Sequence, residues 1–218
     1  MEIGLAELVR NRTMSAEIAA TLAGAAEERR SFVVLAVPRL AGKSTVLRAM
    51  LARASAPVRT VVGEPGEVSH LAAASGSGYL VIPEISQAPV AGYIWGAPVR
   101  RVFAVLGRGY ALAAALHAPG VDEAFRVICG GNGVPDEDAA RIDLAVYLRS
   151  IGEWQTPARR VVESVHEIHG VMRGKPRARA LHIWDEASDR FATVNEPKKI
   201  LAERWARLAA EFGRVAVS

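Results

Sequence analysis

The chain has 218 residues, half of them hydrophobic and 23% charged, which suits a single compact unit around one substantial core. No apolar run approaches the ~18–20 residues of a membrane span, and the opening MEIGLAELVRNR lacks the basic-then-apolar order of a secretory leader. The single cysteine, Cys129, excludes an intrachain disulfide and suits a reducing cytoplasm. The net charge of +4 raises the question of nucleic acid, but Arg29-Arg30, Arg100-Arg101 and Arg159-Arg160 are scattered among acids with no aromatic-interleaved module. A solvated arginine surface, and no nucleic-acid partner, is the expectation.

Leu5 to Arg10 reads as a short helix. Ser15 reads as the N-cap of a second, with Glu17 in its first turn and Ile18, Leu22 and Ala25 or Ala26 on its apolar stripe. Phe32-Val33-Val34-Leu35-Ala36-Val37 is short, apolar and rich in β-branched residues, the pattern of a strand covered on both faces. Gly42-Lys43-Ser44-Thr45 follows, and Val46, Leu47, Met50 and Leu51 then recur at helical spacing in a helix from Lys43 to Ala54.

This strand, loop and helix form the second half of a phosphate-binding GxxxxGK[ST] pattern. In such a loop, backbone N–H groups and a helix N-terminus cradle phosphate oxygens, a lysine reaches the β and γ phosphates and a hydroxyl coordinates Mg²⁺. Pro38, Ala41, Gly42, Lys43, Ser44 and Thr45 are therefore the candidate binding residues for ATP with Mg²⁺, and Ser44 is a candidate metal ligand. The first glycine of the pattern falls at Val37. A non-glycine residue forced to positive φ there would cost roughly 1–2 kcal/mol, so the loop must be shaped differently.

Val58 to Val62 reads as a second strand, ending at Gly63-Glu64-Pro65-Gly66-Glu67, and Ala72 to Gly78 as a loop. Tyr79 to Ile82 is a third buried strand closed by Pro83-Glu84, the form of a Walker B element. Its carboxylate would hold Mg²⁺ or orient the attacking water. Val90 to Leu106 reads as helix, with Pro98 either kinking it or opening its second half. Tyr110 to Leu116 is a fourth strand ending at His117, which either senses the γ-phosphate or is structural.

Glu84, Glu64 and His117 are the candidate catalytic residues, with Glu84 also a candidate metal ligand. Each closes a parallel strand, and ligands in open α/β sheets bind beyond the carboxyl ends of strands, so the three should converge on one cleft with the loop.

Val121 to Ile128 reads as a helix stopped by Gly130-Gly131-Asn132-Gly133. Ile142–Ile151, Arg160–Val171 and Ala178–Asp185 read as β segments. Pro197 to Phe212 reads as an amphipathic helix with Ile200, Leu201, Trp205 and Leu208 on one stripe. His166, Glu167 and His169 do not have metal-ligand spacing, since strand residues three apart face opposite sides.

Taken together, these features resemble the type II/type IV secretion and pilus ATPases, above all the tight-adherence and conjugation-type members. VPRLAGKSTVLRAML is similar to the family's Walker A stretch, VVGEPGEVSHL to its acidic box, YLVIPEI to its Walker B and YALAAALHAPGVDEAFRVI to its His box. RIDLAVYLRSIGEWQTPARRVVESVHEIHGV resembles the β extension that follows. Val37, Leu40, Gly63, Pro83 and Ser86 depart from the pattern; set against the family, the expectation is that its N-terminal domain and the arginine-bearing stretch after its acidic box have no counterpart here.

The resemblance implies an α/β fold: a RecA-like P-loop NTPase with a parallel sheet, helices on both faces and an antiparallel extension. Its expected parts are leading helices over 1–30, a nucleotide-binding core over 31–140, the β extension over 141–194 and a closing helix over 195–218. It implies an ATP-binding motor domain, slow in hydrolysis alone, or a degenerate, non-hydrolysing homologue acting as scaffold or regulator of a secretion or pilus assembly. The partners it implies are nucleotide, a hexameric ring of copies or a chain supplying the missing domain, and a cytoplasmic place at the inner-membrane secretion platform.

Overall fold

The computed structural model describes residues 3–37, 41–73, 76–153 and 155–217. Its element order is α1 (Leu5–Arg10), α2 (Ala16–Glu27), β1 (Phe32–Ala36), α3 (Lys43–Leu51), β2 (Val58–Thr60), α4 (Pro65–Ala73), β3 (Gly78–Ile85), β4 (Tyr93–Ile94) and α5 (Ala97–Val105). There follow β5 (Tyr110–Leu116), α6 (Val121–Phe125), α7 (Asp136–Ala139), β6 (Leu144–Ile151), β7 (Arg159–Met172), β8 (Lys175–Asp185), β9 (Arg190–Thr193) and α8 (Ala202–Val217). A 3₁₀ turn, Leu106–Arg108, leads into β5, and a π-helical turn, Arg126–Gly131, continues α6.

The nine strands described form one sheet in the order β2-β3-β5-β1-β6-β7-β8-β9, with β4 paired to β3. The pairs from β2 to β6 are parallel, and those from β6 to β9 antiparallel. The chain is thus α/β, with a parallel half that continues into an antiparallel half at β6.

All five residues of β1 are buried, because the sheet is covered on both faces. Phe32, Val34 and Ala36 pack with apolar residues of α1, α2, α3 and α8; Val33 and Leu35 pack with those of α4, α5, α6 and α7. Strand alternation divides one apolar run between two cores.

The Ser15 hydroxyl accepts from the Ile18 amide at 3.3 Å and so caps α2. Helix α8 lies on α2 through Leu208 and Phe212, and a side chain at Gly24 would run into Ile200. Leu201, expected on the same stripe, is instead exposed, while its amide donates to Glu28.

Local assignments shift where proline or glycine decides. The turn expected at Gly63–Glu67 opens helix α4: Pro65 needs no N–H partner in a first turn, and Glu67 Oε2 accepts from the amides of Val62 and Gly63. The helix expected over Val90–Leu106 is confined to Ala97–Val105, because Pro98 suits only its first turn; Tyr93–Ile94 pairs with β3 instead. Strand β2 shortens to Val58–Thr60 and is exposed, as the sheet's edge. β6, expected with the antiparallel extension, runs parallel to β1.

Candidate functional site

The carboxyl ends of β1, β3 and β5 meet the N-terminus of α3 in a cleft of about 770 Å³. Gly42 is the N-cap of α3 at φ +96°, a left-handed conformation natural to glycine. The side chains from Lys43 to Val46 line the cleft with Ala41 and Gly42, so the candidate residues Ala41, Gly42, Lys43, Ser44 and Thr45 all stand at it. Pro38 lies outside the described residues, as does Leu40. Val37, at the place of the missing first glycine, is exposed.

Lys43 is buried, and its ammonium lies 3.4 Å from Glu84 Oε2 and 3.2 and 3.4 Å from the two ring nitrogens of His117. His117 Nε2 is 3.9 Å from Glu84 Oε1. Residues 43, 84 and 117 thus come together at one point because three neighbouring strands end there.

Pro83 accounts for how Glu84 reaches that point. A proline inside a strand cannot donate to the ladder, and the pairing of β3 with β5 slips between Ile82 and Ile85. Such an irregularity re-aims a side chain. Beyond it the pairing with β5 resumes at Ile85 and Leu116, and on the other edge of β3 the short β4 follows β2, with Tyr93 opposite Glu84 and itself lining the cleft.

Glu64 does not join this group. It follows β2, which β3 and β5 separate from β1, and it is exposed and absent from the cleft wall. The expectation that all three strand-end residues converge is therefore corrected: the edge strand is too far from the loop, and its following residues turn into α4. Gly63, where the resembled family carries an acid, sits at φ +72°, and a Cβ there would lie 2.6 Å from Pro98 Cβ. Its carbonyl accepts from Arg101 at 2.5 Å. A side chain at this position is excluded by packing against α5.

Other cleft residues had no signal in the sequence. The turn between α1 and α2 contributes Asn11 and Thr13, and the β6–β7 corner contributes Leu148, Ala158, Arg159 and Arg160. They arrive because β6 runs beside β1 past its end and β7 returns alongside, while Val162 donates to the Thr13 carbonyl.

The donors fit a phosphate chain with a divalent cation. Ser44 opens α3 beside Lys43, and Glu84 Oε1, 96% buried with its residue, has no hydrogen-bond partner among the described residues. A buried carboxylate oxygen left unpaired is costly, and a cation or its bound water would satisfy it. The His166, Glu167 and His169 group serves the fold instead: Glu167 Oε1 accepts from the amides of Lys198 and Lys199 at 2.8 and 2.7 Å. No group of three metal-ligating side chains occurs among the described residues, and no helix there is long and apolar enough to cross a membrane.

No protein-family model and no curated protein matches the sequence. Among solved structures, the chain is similar to the VirB11 ATPase of the Brucella suis type IV secretion system in complex with sulphate: 14% identity, a TM-score of 0.52, 70% of this chain and 52% of that one. The Legionella pneumophila ATPase DotB matches over 87% of this chain and 53% of its own, at 13% identity and a TM-score of 0.43. The chain spans about half the length of each. The likeness to VirB11 gives a shared fold.

Proposed function

We propose that this chain is a RecA-like P-loop domain of the secretion-ATPase type, binding ATP with Mg²⁺ at Gly42-Lys43-Ser44. The observation that carries the reading is the meeting of Lys43, Glu84 and His117 in the cleft at the start of α3. The α3 N-terminus offers backbone N–H groups and the positive end of its dipole to phosphate. Lys43 would leave Glu84 for the β and γ phosphates. The Ser44 hydroxyl and the Glu84 carboxylate would hold the cation, which supplies charge neutralisation on the transferred group. His117 would stand at the γ end, beside the strand-end carboxylate. The fold shared with VirB11 supports the same reading.

A second reading, a chain that holds nucleotide without turning it over, is favoured by two placements. Glu64 stands away from the cleft. Ser86, where the resembled family has an arginine, spends its hydroxyl accepting from the Ala88 amide. An arginine aimed at the transferred group can be worth on the order of 10³–10⁵ in rate, so hydrolysis by the isolated chain should be slow, well below ~1 s⁻¹. A hexameric ring at the cytoplasmic side of an inner-membrane secretion platform would be where a neighbour completes the site.

Binding is tested by thermal unfolding with and without Mg-ATP. At 100 times Kd the ligand should stabilise wild type by about 2.7 kcal/mol, and Lys43→Ala should abolish the shift. An unmoved wild-type melt with no calorimetric heat refutes the reading. Turnover at ~1 s⁻¹ or above, lost in Glu84→Gln, would refute the slow-hydrolysis part alone.

A further inference from the structure

Among the described arginines, Arg160 is singled out by its place beside Gly42. It pairs with Ser150 at the outer end of the β6–β7 ladder, two positions past the Leu148 level at which β6 meets the last residue of β1. It therefore lies beyond the carboxyl end of β1, where the loop begins. Leu148 and Val162, two residues from Arg160, belong to the same packed face as Val46, Leu47 and Met50 of α3, so Arg160 continues that face towards the α3 N-terminus.

The contact is close. A Cβ on Gly42 would lie 3.2 Å from Arg160 Cδ and 3.6 Å from Leu148 Cδ2. Gly42 thus does two things: it takes a left-handed φ, and it leaves room for the Arg160 stem to cross the loop. Arg159 beside it is committed to the fold. Its guanidinium donates to Asp189 at 2.7 Å and to the Arg12 carbonyl at 2.9 Å, and lies over the Trp184 ring. Arg160 is exposed and lines the cleft.

We propose that Arg160 is a phosphate-binding residue of the nucleotide site, reaching across Gly42 to the phosphate chain held at the α3 N-terminus. This rests on the nucleotide reading above. This chain places a cation beside Gly42 from the antiparallel side of the sheet, on the first residues of β7. A guanidinium can take two phosphate oxygens at once, with hydrogen bonds stronger than neutral ones.

The test is calorimetric titration of Mg-ATP into the full chain at 50 and 500 mM NaCl. Wild type is compared with Arg160→Gln, which keeps most of the stem over Gly42 and removes the charge, and with Arg160→Lys, which keeps a charge. Melting without nucleotide checks the fold of each. Arg160→Gln should weaken ATP binding tenfold or more at low salt, with a clearly smaller loss at high salt, and Arg160→Lys should recover part of the affinity. A loss below threefold while wild type binds would overturn this inference and leave the nucleotide reading standing, as would an equal loss at both salts. Failure of wild type to bind would overturn both. Should Arg160→Gln not fold, Arg160→Met, which also keeps an apolar stem and removes the charge, takes its place and is judged by the same thresholds at the two salt concentrations.

Discussion

The two halves of the sheet are held together by different physics. The parallel half, from β3 to β1 inside its exposed edge strand β2, is stabilised by apolar burial on both faces; β1 and β5 keep almost no contact with water. The antiparallel half, from β6 to β9, mixes apolar burial with enclosed polar groups. His182 on β8 is fully buried, 2.8 Å from Thr21 Oγ1 on α2 and 3.1 Å from Thr193 Oγ1 on β9. The Thr21 hydroxyl donates to the Glu17 carbonyl and accepts from the Trp205 indole. Its remaining lone pair can accept from His182, which leaves the other ring nitrogen to accept from Thr193: a neutral ring with both nitrogens used. Glu167 likewise sits fully buried against the segment that enters α8. The apolar half presents the strand ends that line the cleft, while the polar half pins α8 and the returning strand whose arginines line it as well.

The largest effect should come from breaking the apolar half. Phe32 is fully buried in β1, its ring 5.6 Å from that of Tyr79. Phe32→Ala should cost about 3–5 kcal/mol, the range for emptying a packed aromatic site. Chemical denaturation at pH 7 and pH 5 should give the same loss, since no titratable group of that contact ionises between them. A cost below ~1 kcal/mol would mean the β1 core is not packed as described.

The same contrast explains what the sequence could disclose. Uniform apolar runs announced β1, the central part of β3 and all of β5, and the strand-end positions of Glu84 and His117 followed from them. Ser15 announced the start of α2 by the chemistry of its hydroxyl. What stayed hidden depended on sheet order. Nothing local marks β2 as an edge strand, so in the sequence Glu64 looks equivalent to Glu84, and nothing local says that Arg160 returns to Gly42, 118 positions earlier. Pro83 and Gly63 looked like losses from a motif; in the structure one accompanies the slip that aims Glu84 and the other fits a space closed by Pro98. Leu201 kept its periodicity yet lies outside, because α8 begins only at Ala202.

Acid should break the polar half. Burial lowers the His182 pKa to about 4 from its ordinary 6.5, with the Glu17 carboxylate opposing weakly. Below pH 6.5 the unfolded ring takes up a proton that the folded ring refuses, so stability falls as pH drops towards 4. Integrated over that window, the loss is ~3 kcal/mol. His166, lowered by burial as well, adds in the same direction. Denaturant midpoints measured from pH 7 to pH 4 should fall along this course, and His182→Gln should flatten it while lowering stability at pH 7. A wild-type slope unchanged in the variant would show that other groups carry the acid sensitivity.

The smallest effect, at Glu64, sharpens the comparison inside the parallel half itself. Glu64 follows the exposed edge strand β2, whereas Glu84 is the penultimate residue of β3, a buried strand paired along both edges. Glu84→Gln removes the charge that faces Lys43 in a nearly dry site. Glu64→Ala removes a solvated carboxylate whose near neighbour Glu67 already accepts from the Val62 and Gly63 amides. Surface substitutions of this kind stay within about ±0.5 kcal/mol, so Glu64→Ala should leave the melting temperature, and Mg-ATP affinity within twofold, unchanged. If Glu64→Ala instead abolished whatever turnover the chain has while leaving binding intact, the edge strand would have to swing towards α3 during catalysis. The fixed separation of β2 from β1 by two strands would then describe only the resting arrangement of the sheet.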